Sequence, residues 1–275
     1  MKQRKKTALW ASAVLLAFVL VFAGCDFGLG GGPGPGQRPS QNRGTYGDFE
    51  WGLYSGNMTI TGFIGSGGAV TIPAEIDGRR VTHIRSWVFY NNRLTSVNIP
   101  SSVTYIGLKA FSRNQLTSVN IPSSVTYIGV WAFYNNQLAS VNIPSSITYI
   151  GEGAFSFNQL TSVNIPSSIT YIGDFVFGNN QLTSVSIPSS VTYIGINAFS
   201  WNQLISINIP SSVTYIGGSA FYNNQLTSIS IGANVTLGTN ITGWFCGFVI
   251  AYNNGGRLAG TYTRPNIDSL DWTRQ

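Results

Sequence analysis

The stretch LTSVNIPSSVTYIG at residues 94–107 returns unchanged at 116–129, and near-copies begin at Leu138, Leu160, Leu182 and Leu204. The leucines at 94, 116, 138, 160, 182, 204 and 226 are each 22 residues from the next. A fixed period of this length makes each copy one small structural unit, whose apolar face is covered only when neighbours stack on it. The unit reads L-x-x-V-x-I-P-S-S-V-T-Y-I-G-x-x-A-F-x-x-N-Q. In the first full copy the recurrent apolar residues are Leu94, Val97, Ile99, Val103, Ile106, Ala110 and Phe111. Val97 and Ile99 alternate with Ser96 and Asn98, which is strand periodicity. Pro100 ends that strand, because it has no N–H to give to a ladder. Gly107 follows a second short extended piece, and Ala110 and Phe111 are expected to form one helical turn that closes the coil. Near-identity between coils lets equivalent surfaces stack and equivalent strands pair in parallel.

The array begins before Leu94. In AVTIPAEIDGRRVTHIRSWVFYNNR, Val81, Ile84, Val88 and Phe89 match Val103, Ile106, Ala110 and Phe111, and His83 stands where later coils carry Tyr. The period ends after Ile231, and the alternation in FVIAYNN, GTYTR and DWTRQ around Gly and Asn turns predicts a β cap. Caps are expected because an open solenoid end exposes both core and strand edge. L-x-x-L-x-L spacing at this period is the signature of a leucine-rich-repeat solenoid. The fold expected is therefore a repeat solenoid with a parallel β ladder, short helical turns, a 22-residue period and β-rich caps at both ends. The expected divisions are a signal peptide at 1–24, a flexible Gly/Pro tether at 25–44, an N-terminal β cap at 45–68, the solenoid at 69–231 and a C-terminal β cap at 232–275.

The leader is a separate matter. Lys2, Arg4, Lys5 and Lys6 precede an apolar run of 16 residues, Ala8 to Ala23, which ends in FAGC. That run is short for a bilayer-spanning helix of about 20 residues, and the pattern is that of a secretion signal. It resembles a bacterial lipoprotein lipobox, with Phe22 where Leu is more usual; the resemblance implies a lipid on Cys25. Removing the leader takes four of the 15 Lys and Arg and leaves 11 against nine Asp and Glu, a net charge of +2. The basic pI is thus largely a property of the leader and does not point to nucleic acid. The tether DFGLGGGPGPGQRPSQNRG has too little apolar surface to offset its ordering entropy. Cys246, in GWFCGFVIAY, reads as a buried small hydrophobe.

The unit L-x-x-V-x-I-P-x-x-V-x-x-I-G-x-x-A-F resembles the BspA-like, treponemal-type leucine-rich repeat of bacterial surface proteins over residues 58–231. Asn at 92, 114, 136, 158, 180, 202 and 224 stands where many members have Cys or another small residue, and it is expected to bond between coils. The resemblance implies an extracytoplasmic, membrane-anchored lipoprotein of the outer membrane or cell surface, acting in adhesion or interaction.

Candidates for chemistry are few. His83 is the only histidine. Between Asn114 and Gly256 there is no Lys or Arg, and the only acids are Glu152 and Asp174. Those two occupy equivalent positions of adjacent coils, about 5 Å apart, but no basic partner stands with them. No catalytic residue, metal site or cofactor is expected, and the chain is read as a non-enzyme.

What remains is surface. Ser96, Ser118, Ser140 and their successors line the strand beside Asn98, Asn120, Asn142 and Asn164, and Tyr105, Tyr127, Tyr149, Tyr171, Tyr193 and Tyr215 form a second ladder. A third pattern has twice the period. Trp87, Trp131 and Phe175 fill a slot in alternate coils; Phe157 and Trp201 fill a slot four residues later in the coils between. Read as i and i+4 on a helical turn, the five aromatics form one stripe. The stripe has two readings: large and small residues interlock between coils, or an exposed row on a nearly uncharged surface binds a partner. The expected function is adhesion by a monomer through the solenoid surface to host matrix, glycans or other cells, the partner being an extracellular protein or glycan and Cys25 the membrane anchor. The rival is a passive envelope component without a ligand.

Overall fold

The computed structural model describes residues 42–238 and 245–275. The expected leader, Cys25 and most of the tether lie outside these residues. The chain opens on an antiparallel meander of β1 (Arg43–Tyr46), β2 (Phe49–Tyr54) and β3 (Asn57–Phe63). Its inner side chains Trp51, Met58 and Ile60 are buried. After β4 (Gly68–Thr71), β5 (Glu75–Ile76) turns back on β6 (Arg79–Ile84). Asp77 and Gly78 make that turn with φ of 51° and 71°, the pair of positive values a two-residue hairpin requires. β3 pairs in parallel with β6, so the cap passes directly into the ladder.

From there one short strand per coil repeats. β6 pairs in parallel with β8 (Tyr105–Ile106), β8 with β9 (Tyr127–Ile128) and β9 with β10 (Tyr149–Ile150). A second run joins β11 (Tyr171–Ile172), β12 (Tyr193–Ile194), β14 (Tyr215–Ile216) and β16 (Thr236–Leu237), with β13 (Ser206–Asn208) belonging to the other ladder. On that second side β4 pairs with β7 (Leu94–Asn98). Single bridges then link Asn120, Asn142, Asn164 and Ser186, and β13 pairs with β15 (Ser228–Ile231). Between the full coils that pair, the register is in phase, Tyr on Tyr and Ile on Ile, because those coils have the same length.

Leu94, Leu116, Leu138, Leu160, Leu182 and Leu204 are fully buried. Phe89, Phe111, Phe133, Phe155, Phe177, Phe199 and Phe221 stack through the core with centroids 5.0–5.9 Å apart. The Asn positions behave as a ladder, but their partners are backbone groups. Asn158 donates through Nδ2 to the Phe133 and Phe155 carbonyls and accepts the Leu138 N–H at Oδ1. One amide thus bridges adjacent coils: it gives the buried Leu138 N–H its acceptor, and each Phe carbonyl receives amides from two coils, Phe133 from Asn136 and Asn158, Phe155 from Asn158 and Asn180.

The turn that closes each coil differs from the expected helical turn. Lys109, Phe111 and Arg113 donate their N–H groups to Val130, Ala132 and Tyr134 of the next coil, while Ala110 and Ser112 bond back only three residues, to Gly107 and Lys109. With every second N–H committed between coils, an i→i−4 helix cannot form. The backbone accommodates the mixed pattern with residues in the left-handed region at each end of the turn, as at Lys109 (φ 53°) and Arg113 (φ 57°).

The C-terminal cap also departs from an all-β reading. β15 pairs antiparallel with β17 (Gly260–Thr263), and β17 with β18 (Thr273–Arg274), but residues Phe245–Asn254 form a helix. FVIAYNN lies in that helix because Phe248 and Tyr252, four apart, bury one face against Tyr262 and Trp272. The Tyr252 hydroxyl ties the helix to the last coil, donating to the Gly232 carbonyl and accepting the Val235 N–H. Buried Arg264 donates to the carbonyls of Leu226, Ile267 and Ser269. Among the described residues no helix is long and apolar enough to cross a membrane.

Candidate interaction surface

The edge of the coils at these turns gathers the aromatics. Trp87 (φ 69°), Trp131 (φ 57°) and Phe175 (φ 59°) share one slot, and Phe157 (φ 55°) and Trp201 (φ 56°) share the slot four residues on. Left-handed backbone costs an ordinary L-residue about 1–2 kcal/mol, and Gly or Asn avoids most of it. Other coils place Gly153 and Asn197 in the first slot and Asn91, Asn135, Asn179 and Asn223 in the second. Bulky aromatics therefore occupy positions that favour the smallest or most tolerant residues.

Trp87, Phe157, Phe175 and Trp201 are exposed, from 36% for Phe175 to 51% for Trp201, and Trp131 is half-buried. Both readings of the stripe hold at once. A Cβ on Gly153 would stand 3.0 Å from the Trp131 ring, so the large residue of one coil does cover the small one of the next. Ring edges and outer faces remain in solvent. Tyrosines that the sequence reading left out of the stripe complete it: Trp87 packs edge-on against Tyr90 at 4.8 Å, Trp131 against Tyr134 at 4.7 Å, Tyr134 against Phe157 at 5.3 Å and Trp201 against Tyr222 at 5.8 Å. Tyr134 follows Tyr90 by 44 residues, the doubled period of the stripe itself, and that was the available signal; Ser112, Ser156 and Ser200 stand at the same position in the coils between.

Lys109 and Arg113 fall in the two aromatic slots of the second coil. Lys109 Nζ sits 4.3 Å from the Trp87 ring centre and Arg113 Cζ 5.8 Å from that of Tyr90. The stripe thus has a cationic end and a neutral remainder.

The other faces are plainer. Ser96, Ser118, Ser140 and Ser162 are exposed with Asn98, Asn120, Asn142 and Asn164 along the strand side. On the third side the Tyr rings stack at 4.6–4.9 Å, and His83 joins them at 5.4 Å from Tyr105. Partial burial lowers the His83 pKa, and its Nδ1 lies 2.9 Å from the Thr82 hydroxyl. This is the setting of a ladder member.

Glu152 and Asp174 mark a discontinuity in that ladder. Stacking runs from His83 to Tyr149 and resumes at Tyr171, and β10 and β11 do not pair. A Cβ on Gly151 or Gly195 would meet the adjacent coil at 2.3–2.5 Å, whereas one on Gly173 would meet nothing nearer than 3.3 Å. Burial raises both carboxyl pKa values, and the Asp174 charge raises that of Glu152 further. Like charges on successive coils oppose close approach where the ladder opens. Asp174 Oδ1 accepts the Ile196 N–H at 2.7 Å, and among the described residues no group of three or more His, Cys, Asp or Glu is arranged to hold a metal. Cys25 and the side chain of Cys246 lie outside the described residues.

An in-phase parallel ladder with an apolar Leu and Phe core and buried Asn bonds defines a leucine-rich-repeat solenoid. The BspA type leucine rich repeat region matches in six copies, over residues 82–202 and 132–241, and the chain belongs to that family. It is similar to a leucine rich cell surface protein of Faecalibacterium prausnitzii (26% identity, 72% of each chain, TM-score 0.48) and to the leucine rich repeat protein of T. pallidum (25% identity, 56% of this chain and 85% of that one, TM-score 0.43). It also shares its fold with the pneumococcal vaccine antigen PcpA, at 20% identity over 72% of this chain and 66% of that one, with a TM-score of 0.52. No curated protein sequence matches the chain.

Proposed function

We propose that this protein is a lipid-anchored adhesin, held outside the cytoplasm by a lipid on Cys25 and binding an extracellular protein or glycan through the aromatic turn edge. The observation that carries this reading is the set of exposed aromatics at left-handed positions. Backbone strain that adds little packing is accepted where a side chain serves another purpose. Aromatic residues on an uncharged surface are also the residue type that anchors partners. Surface placement rests on the basic and apolar leader ending in FAGC. The protein acts as a monomer and without catalysis, cofactor or metal: its recurrent positions are spent on stacking, and among the described residues no group of three or more His, Cys, Asp or Glu gathers into a site.

The test is direct binding of the purified protein to an array of matrix proteins and glycans, beside a Trp131→Ala/Trp201→Ala double variant. Saturable binding that the double variant weakens supports adhesion through this edge. A protein that binds nothing on the array, in an envelope that weakens when it is deleted, would favour the passive structural role.

A further inference from the structure

The charge on the aromatic edge is confined to one end. Lys109 and Arg113 hold the slots that carry aromatics elsewhere, and both lie in the left-handed region where Asn or Gly would fit with less strain. Each is held against an aromatic ring, Lys109 over Trp87 and Arg113 over Tyr90. Neither has a carboxylate within ion-pair distance among the described residues, where Arg80–Glu75 at 3.9 Å is the one such pair. A cation positioned by a ring face is ordered, yet its N–H donors stay free for an anion. The next coil is bonded directly to this one, Arg113 N–H to the Tyr134 carbonyl, and brings Trp131 and Tyr134. From Asn114 to Gly256 no further Lys or Arg occurs.

We propose, building on the adhesion reading above, that this edge binds an oligosaccharide ending in an acidic sugar. The terminal carboxylate pairs with Lys109 and Arg113, and the neutral sugars that follow lie along Trp131, Tyr134 and the aromatics beyond. Exposed Arg79, Arg80, Arg85 and Arg93 precede Lys109, so the cations end at Arg113, and along the aromatics beyond it the charge pattern favours this ligand over a uniformly charged polymer. A nucleic acid carries a phosphate at every unit, and past Arg113 each phosphate would face a surface without cations. The geometry agrees as well. The Phe stack beside the edge spaces the coils at 5.0–5.9 Å, close to the advance of one pyranose unit in an extended chain.

The test titrates the whole protein with a sialylated lacto-oligosaccharide and with its desialylated counterpart, reading Trp fluorescence. The sialylated probe is expected to bind about tenfold more tightly or better, as added charge-assisted hydrogen bonds do, and its advantage should shrink as salt rises. Lys109→Asn and Arg113→Asn put into these slots a residue already present in the same slots of other coils, at Asn197 and Asn135. Together they should erase the preference and leave desialylated binding unchanged, with an unaltered denaturation midpoint. Equal affinity of the parent for both probes overturns the proposal, as does tighter binding of poly-glutamate or of a single-stranded oligonucleotide than of the sialylated probe. Matrix-protein binding that Trp201→Asn abolishes, with no sialic acid preference, removes this proposal and leaves the adhesion reading standing. No binding to any array member removes both.

Discussion

Replacing Trp201 by Asn separates an anchoring ring from a structural one. Trp201 sits at φ 56°, and the same slot in the neighbouring coils holds Asn179 and Asn223 at φ 56° and 53°. The backbone is therefore already compatible with the substituted residue, and left-handed strain of about 1–2 kcal/mol is relieved. Against this stands the lost packing. The ring is 51% exposed, so it forgoes about half of the 1.5–3 kcal/mol that full burial of a large side chain contributes. Its edge contact with Tyr222 at 5.8 Å adds about 0.5–1 kcal/mol. These opposing effects nearly cancel, and the net change is expected to stay within about 1 kcal/mol in urea denaturation. Affinity for the array partner should meanwhile fall by about 2 kcal/mol or more, roughly thirtyfold, if the ring is an anchor. Stability lower by about 3 kcal/mol with unchanged affinity per folded molecule would refute the reasoning, because the ring would then be core.

Phe155→Ala, in the middle of the ring stack and fully buried, should cost about 3–5 kcal/mol in the same denaturation assay. Asn158→Ala leaves the buried Leu138 N–H without its acceptor, at about 1–3 kcal/mol, and should lower the midpoint even though little apolar area is lost; the Phe133 and Phe155 carbonyls each lose one donor but keep Asn136 and Asn180. Glu152 and Asp174 hold their protons more tightly folded than unfolded, so their contribution to stability falls as pH rises from the ordinary carboxylate range through the raised folded values. Mild acidification should therefore stabilise the parent, and Glu152→Gln should raise stability at neutral pH and flatten the pH profile across that window. Cys25→Ser should leave the protein unanchored or unprocessed; equal detergent partitioning of mutant and parent, with the leader removed from both, would exclude the lipid anchor.

The 22-residue period, read from the leucines alone, was enough for the solenoid, its parallel register and the identity of its core. Equal coil lengths force equivalent residues into contact, and Leu, Ile and Phe at equivalent positions have nowhere else to go. The buried role of the Asn positions was legible for the same reason, though whether their amides bond each other or the backbone depends on distances that spacing does not encode. Local pattern failed where bonds between coils override bonds within a coil. Ala110 and Phe111 look helical by spacing, yet Lys109, Phe111 and Arg113 give their N–H groups to the next coil, and the chain answers with left-handed turns. In the C-terminal cap the reverse holds: FVIAYNN alternates like a strand, but Phe248 and Tyr252 find their burial four residues apart on a helix. Only the tertiary structure seats Lys109 on Trp87 and Arg113 on Tyr90, joining residues 22 and 23 positions apart into one edge with the aromatics. A repeat determines which residues recur, whereas the stacking of one coil on the next decides which of them meet and which face solvent.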